Sequence, residues 1–312
     1  MRSPLLDLPG AVAAESPDAD VAAHYGDLFA EQRALVKGEA VVDRSNREIV
    51  RIAGVDRLKW LNDLTSQKLD ILKPGEWTQT LILDLQGRVE HHLTLVDDGE
   101  AVLAHVEPGA SAPLIDYLDR MRFMLRVEVS LADDLAVLSG ASEDFLVPRA
   151  ELDTHLGKPL AGLWAYEALR IEEHRPRLGL DTDHKTIPHE VGWIGAAVHL
   201  TKGCYRGQET VARVHNLGHP PRRLVFLHLD GSVDTLPPHG APVLLDGQEV
   251  GFVGSAARHH ELGPIALALV KRTVPVDEPL LAGGVAAAQE VIVPPDAGRN
   301  VAIDPALRRR IR

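Results

Sequence analysis

The chain holds one cysteine, Cys204, in 312 residues. A single thiol makes no internal disulfide, which fits a reducing compartment. It also excludes a multi-cysteine zinc or iron–sulfur site within one chain. Aromatic residues are scarce at 4%, so the core must be mainly Leu, Val, Ile and Ala. No apolar run approaches the roughly 18 residues that a membrane-spanning helix needs. Met1 to Gly10 has no apolar segment of the signal-peptide kind. Basic residues are outnumbered, and the formal net charge is −12. That balance argues against nucleic-acid binding over the whole surface, because phosphate needs a basic patch. The one basic run, Arg308-Arg309-Arg310 with Arg312, stands at the C-terminal end and reads as a solvated tail. The expectation is a soluble, cytoplasmic protein with no direct nucleic-acid or membrane partner.

What is present is ordinary for a globular protein: 45% hydrophobic and 25% charged residues. The length suggests two to three domains. Asp20 to Leu35 carries a helical stripe. Ala40 to Ala53 reads as two short strands around the polar turn Arg44-Ser45-Asn46. Trp77 to Leu83 and Val89 to Val96 alternate around Asp84 to Arg88, as a hairpin does. Helices are predicted over Leu114–Met121, Ala165–His174 and Gln208–Asn216, and Ile194–Leu200 reads as a strand. Strands and helices mix without a βαβ rhythm, which favours α+β. Pro220-Pro221 breaks the chain. Beyond it, short strands separated by Pro- and Gly-rich turns suggest a small all-β barrel.

Lys202-Gly203-Cys204-Tyr205-Arg206-Gly207-Gln208-Glu209 is the richest segment. Glycines flank the thiol, cations stand two residues to either side, and a helix starts just after Gly207. Cations and a helix N-terminus stabilise a thiolate. A lone cysteine is also a common small core residue, and the chemistry alone leaves both readings open. No histidine has a local signature that makes it a catalytic partner of Cys204, and no metal-ligand spacing is present.

This run, with Val211-Ala212-Arg213 after it, resembles the Lys-Gly-Cys-Tyr-x-Gly-Gln-Glu signature of YgfZ-type folate-binding proteins. Those proteins resemble the glycine cleavage T-protein, a tetrahydrofolate-dependent aminomethyltransferase. All seven specified positions match. Gly54 to Leu64, Leu169-Arg170-Ile171-Glu172, Pro188-His189-Glu190 and Arg222-Arg223-Leu224 follow in the family's order. The resemblance implies two intertwined α+β lobes of the T-protein type followed by a small C-terminal β-barrel. The domain reading is an N-terminal extension and helix over 1–38, a folate-binding α+β region over 39–219 and a barrel over 220–312. Within the α+β region the second lobe covers roughly 54–150.

The resemblance also implies site residues. Cys204 would be the essential thiol, holding a mixed disulfide or passing a one-carbon unit. Glu172 matches the family glutamate at the pterin ring. Tyr166 fits either a folate-stacking or a core role. Lys202 and Arg213 would meet the glutamate tail. Tyr205, Gln208 and Glu209 would belong to the cofactor-binding set, the last two by capping or positioning the signature loop. His91-His92 stands where aminomethyltransferases carry two aspartates, unless the two are simply alternating strand positions. A neutral imidazole supports a developing iminium less well than a carboxylate. The implied function is a tetrahydrofolate-binding accessory protein that supports assembly or repair of iron–sulfur client enzymes, tRNA-modifying ones included. The alternative is a folate-dependent aminomethyl or methyl transferase.

Overall fold

The computed structural model describes residues 1–154 and 157–300. The Arg308-Arg309-Arg310 run lies outside them. Among the described residues no helix is long and apolar enough to cross a membrane.

Two α+β lobes are intertwined, because the chain crosses between their sheets early. Strand Val41–Asp43 belongs to a four-stranded sheet and the next, Glu48–Ala53, to a five-stranded one. The five-stranded sheet runs antiparallel in the order Trp77–Leu83, Val89–Asp97, Ala101–Val106, Glu48–Ala53, Glu128–Leu131. Period-two alternation divides its faces. Ile82, Leu93 and Leu95 pack against helices α2 (Arg57–Leu64) and α3 (Ser111–Met121) through Trp60, Leu61, Leu114 and Leu118. Leu81, Leu83 and Val89 point the other way, into a core shared with the barrel.

The other lobe joins Asp144–Pro148, Leu135–Ser139, Val41–Asp43 and Leu160–Ala161, the last pair being parallel. Helix α1 (Leu28–Val36) packs on helix α4 (Leu163–Glu172) beside it. The stripe predicted from Asp20 divides in two. Ala22–His24 is a strand paired with Val12–Ala13, and the helix begins only after Asp27. There the Asp27 carboxylate accepts from Phe29 N and Ala30 N at 3.1 and 3.0 Å, an N-cap that the hydrophobic period does not reveal. Ile194–Leu200 is likewise no strand. Gly195, at φ +90°, turns the chain so that its N–H reaches Val198 O at 3.0 Å.

Arg222–Leu229, Gly263–Lys271, Gln248–His259, Pro242–Leu245, Leu280–Ala282 and Val285–Val291 close into a six-stranded barrel. Its interior is small and apolar, with Val225, Leu227, Ala268 and Ala282 fully buried. Its outer face supplies Leu224, Phe226 and Leu267 to the shared core, where they meet Ile171, Trp193 and Tyr205. Helix α4 packs on α1, on the Ala22–His24 strand and on two barrel strands, contributes Ala168 and Ile171 to the shared core, and has seven of its ten residues buried.

The barrel approaches this centre closely at Gly254. A Cβ there would lie 2.3 Å from Asp181 Oδ1. Gly254→Ala should therefore lower stability by about 1–3 kcal/mol through overpacking. Urea unfolding reads this directly, and an unchanged midpoint would contradict the close docking.

Candidate functional site

Between the lobes lies a cavity of about 640 Å3. Strand alternation puts Trp77, Gln79, His92 and Thr94 of the five-stranded sheet on its wall. The end of α4 and the segment after it add Tyr166, Arg170, Glu173, Arg175 and Arg177, and Trp193 closes another side. His92 stacks on Trp193 with ring centroids 4.6 Å apart, and its Nε2 meets Gln79 Oε1 at 3.0 Å. Burial pushes the His92 imidazole down to about 3, so it is neutral at pH 7. His91 alternates to the opposite side, 6.3 Å from the ring of Tyr117.

Beneath the cavity runs a chain of buried ion pairs. Arg177 donates to both Asp18 oxygens at 3.0 and 3.1 Å, to Glu107 at 2.6 Å and to Glu167 at 3.0 Å. Arg170 joins Glu167 and Asp181, at 2.5 and 2.9 Å. Arg47 binds the other Glu107 oxygen at 2.5 Å and donates Nε–H to His105 Nδ1 at 2.8 Å. That donor requires a lone pair on Nδ1, so His105 is neutral and gives its Nε2–H to Asp144 at 2.9 Å. Asp144 also takes Arg44 at 3.1 Å. Burial pushes the Glu107 carboxyl up, but Arg47 and Arg177 outweigh it and hold the group well below the usual carboxylate range. For His105, burial and then Arg47 push the imidazole down to about 4 against the pull of Asp144.

Of the residues singled out from the sequence, Tyr166 lines the cavity. Arg44 covers one of its faces at 4.2 Å, and Arg175 donates to its hydroxyl at 3.1 Å. Glu172 points elsewhere and pairs with His259 at 3.1 Å, while its neighbour Glu173 lines the cavity. The signature loop lies outside the cavity lining. Cys204 and Glu209 are exposed, Gln208 is half-buried, and Arg213 is exposed on helix α5 (Gln208–Leu217). Tyr205 is buried in the shared core. Lys202 is buried and donates to Asn62 O and Thr65 O, carbonyls at the C-terminal end of α2, with Tyr205 4.9 Å beneath its ammonium. This is the cation-at-helix-end arrangement, and burial lowers the Lys202 ammonium to about 8 against the pull of Asp63 and Asp70. Arg206 pairs with Glu90 at 2.9 Å. Gly207, at φ +82°, seats the loop on the Asp84–Arg88 turn, where a Cβ would stand 2.6 Å from Asp84 O. The signature thus fixes a surface loop to the sheet. Among the described residues no group of three His, Cys, Asp or Glu side chains is disposed to hold a metal.

Arg44, Arg47, Glu107, Asp144, Arg175 and Arg177 went unread in the sequence. The arginines of the turn at 44–47 and the Arg-Pro-Arg after α4 were the available signals. Their partners come from distant segments.

Two α+β lobes and a six-stranded barrel around a central cavity are the fold of the glycine cleavage T-protein. Residues 222–307 match the family of the glycine cleavage T-protein C-terminal barrel domain. The solved glycine cleavage system aminomethyltransferase T of Bartonella henselae aligns with a TM-score of 0.76, covering 96% of this chain and 98% of that one at 16% identity. The aminomethyltransferase of Nostoc sp. (strain PCC 7120 / SAG 25.82 / UTEX 2576) is 38% identical over 122 residues, 38% of this chain and 31% of that one. A chloroplastic Arabidopsis thaliana protein named as a transferase is 23% identical over 277 residues, 71% of this chain and 62% of that one. The chain spans less than two thirds of the length of either sequence relative. The chain thus has the T-protein fold, its barrel segment matches the T-protein C-terminal barrel family, and parts of its sequence are similar to aminomethyltransferases.

The ion-pair chain makes stability pH-dependent. The folded His105 resists protonation down to about 4, whereas an unfolded histidine takes its proton near 6.5. This contribution is complete above about pH 6.5 and is lost as pH falls toward 4, at about 1.4 kcal/mol per pH unit. Glu107, held low when folded, contributes above the ordinary carboxylate pKa and loses that contribution at still lower pH. Unfolding free energy should therefore fall between pH 7 and pH 5. Glu107→Gln should cost about 3–5 kcal/mol at pH 7, because Arg47 loses the carboxylate it is paired with and Arg177 keeps only Asp18 and Glu167. Urea titrations at both pH values check this, and a flat pH response would contradict it.

Proposed function

We propose that the chain binds a reduced folate, tetrahydrofolate or a one-carbon derivative, in the central cavity and acts as a YgfZ-type accessory protein to iron–sulfur client enzymes. The observation that carries the folate reading is the cavity wall. Its volume, about 640 Å3, falls within the range of small-molecule sites, and aromatic walls with a few polar groups are their usual make-up. A pteridine is flat and edged with alternating donors and acceptors. Trp77, Trp193 and the His92 ring offer flat apolar surface, and Thr78, Gln79 and Thr94 offer polar groups of both kinds. When bound, the folate supplies one-carbon chemistry at the ring nitrogen N5 and the bridge nitrogen N10. The protein's part is to orient the ring and keep water away from it.

The relatives' names favour the second reading, aminomethyl or methyl transfer. The deep charges favour the accessory role. Glu107 and Asp144 are each neutralised by arginine, and the carboxylates Glu143 and Glu173 stay at the exposed rim. The strand position facing the cavity is the neutral His92. A developing iminium therefore meets no deep, unpaired carboxylate among the described residues. The iron–sulfur role rests on the signature at Lys202 to Glu209. An outward thiol at Cys204 suits contact with a partner protein.

Calorimetric titration should give micromolar binding of tetrahydrofolate. Trp193→Ala should weaken it about tenfold or more, while Glu172→Ala and Cys204→Ser leave it unchanged. Cys204→Ser should still lower iron–sulfur enzyme activity in cells. No methylenetetrahydrofolate should form from an aminomethyl-lipoyl carrier. Its formation would install the transferase reading, and absence of any folate binding would remove both.

A further inference from the structure

A folate has a dianionic glutamate tail as well as a ring, and a guanidinium fork binds a carboxylate with two parallel hydrogen bonds. The two cations assigned to that tail from the sequence do not line the cavity. Lys202 is committed to Asn62 O and Thr65 O, and Arg213 is exposed on α5.

Five arginines line the cavity. Arg44, Arg47, Arg170 and Arg177 have side chains 2–8% exposed and are locked to buried or nearly buried carboxylates. Replacing those partners would break the ion-pair chain beneath the cavity. Arg175 differs. Its side chain is 35% exposed, and among the described residues its carboxylate partner is Glu173, itself 39% exposed. Arg175 Nε lies 2.6 Å from Glu173 Oε2, yet the N–H is not aimed at that oxygen and has no hydrogen-bond partner. The pair is one of proximity, at a water-facing rim where such pairs contribute little. The other two nitrogens place the guanidinium firmly, through Tyr166 Oη at 3.1 Å and Ala141 O at 3.2 Å. Arg175 is thus a positioned cation holding an exchangeable carboxylate.

We infer that Arg175 receives a carboxylate of the bound ligand's tail at the cavity mouth, displacing Glu173, so that the site selects ring ligands bearing an anionic tail. The inference rests on the folate reading above but is separable from it. Tetrahydropteroate lacks the glutamate tail but keeps a benzoate carboxylate, so the probe is its primary amide, which has the same ring and bridge and no anionic end. In calorimetric titrations of the full chain, tetrahydrofolate should bind about tenfold or more tighter than this amide, as a charged hydrogen bond contributes. Arg175→Gln should bring the two ligands within about twofold of each other while binding of the amide persists. Arg175→Lys should keep part of the preference. Glu173→Gln should tighten tetrahydrofolate alone, because an internal competitor is gone, a gain that a merely structural pair would not produce. Equal wild-type affinities, or a preference that survives Arg175→Gln, would overturn the role of Arg175 and leave the ring site standing. Failure of both ligands to bind would overturn the folate reading itself.

Discussion

The guanidinium of Arg177 is the interaction on which the rest of the structure depends. It binds Asp18 from the N-terminal segment, Glu107 from the end of a sheet strand and Glu167 from α4. These segments are far apart in sequence and belong to different parts of the fold. A buried charge without partners is strongly unfavourable, so each carboxylate must reach this point or the centre does not form. The ion pairs fix where the lobes meet more than they add net stability. Hydrophobic burial supplies the latter, through the core that the five-stranded sheet, α4 and the barrel share.

From that constraint the cavity follows. Packing chains of arginine and carboxylate between two lobes leaves the space above them unfilled, because these side chains are bound to each other and cannot collapse into it. Aromatic rings then set its walls: His92 on Trp193, and Trp77 beside His105 at 5.9 Å. The charged floor is neutralised internally. Flat walls and uncharged polar groups line the inside, and the ion pair of Arg175 with Glu173 stands at the rim.

Much of the architecture was legible in sequence. Alternation around Asp84 to Arg88 marked the hairpin at the edge of the five-stranded sheet, and Pro220-Pro221 preceded the barrel strands. The Gln208 helix starts where Gly207 allows a left-handed turn. Local patterning decides such features. The start of α1 was less legible, since the cap at Asp27 outweighs the stripe that begins at Asp20. The site was legible only in part. The glycine-flanked thiol drew attention to a loop whose Gly207 serves backbone approach to Asp84 O and whose lysine caps α2. A choice between Glu172 and Glu173 depends on the rotation of α4, which adjacent glutamates do not reveal. Arg47, Glu107 and Arg177 acquire meaning only as partners, and their separation of up to 130 residues hides that in a linear reading.

The protein thus presents two separate features: a polar–aromatic cavity between the lobes, and an exposed thiol on a loop pinned to the outer rim of the sheet. On the folate reading proposed above, the reduced folate sits in the first and not on the second. Amide hydrogen exchange with and without tetrahydrofolate tests this most directly. The account predicts slowed exchange around Trp77–Gln79, Thr94 and the Glu173–Arg177 segment, with Gly203–Glu209 unchanged. Protection confined to Gly203–Glu209 would contradict it.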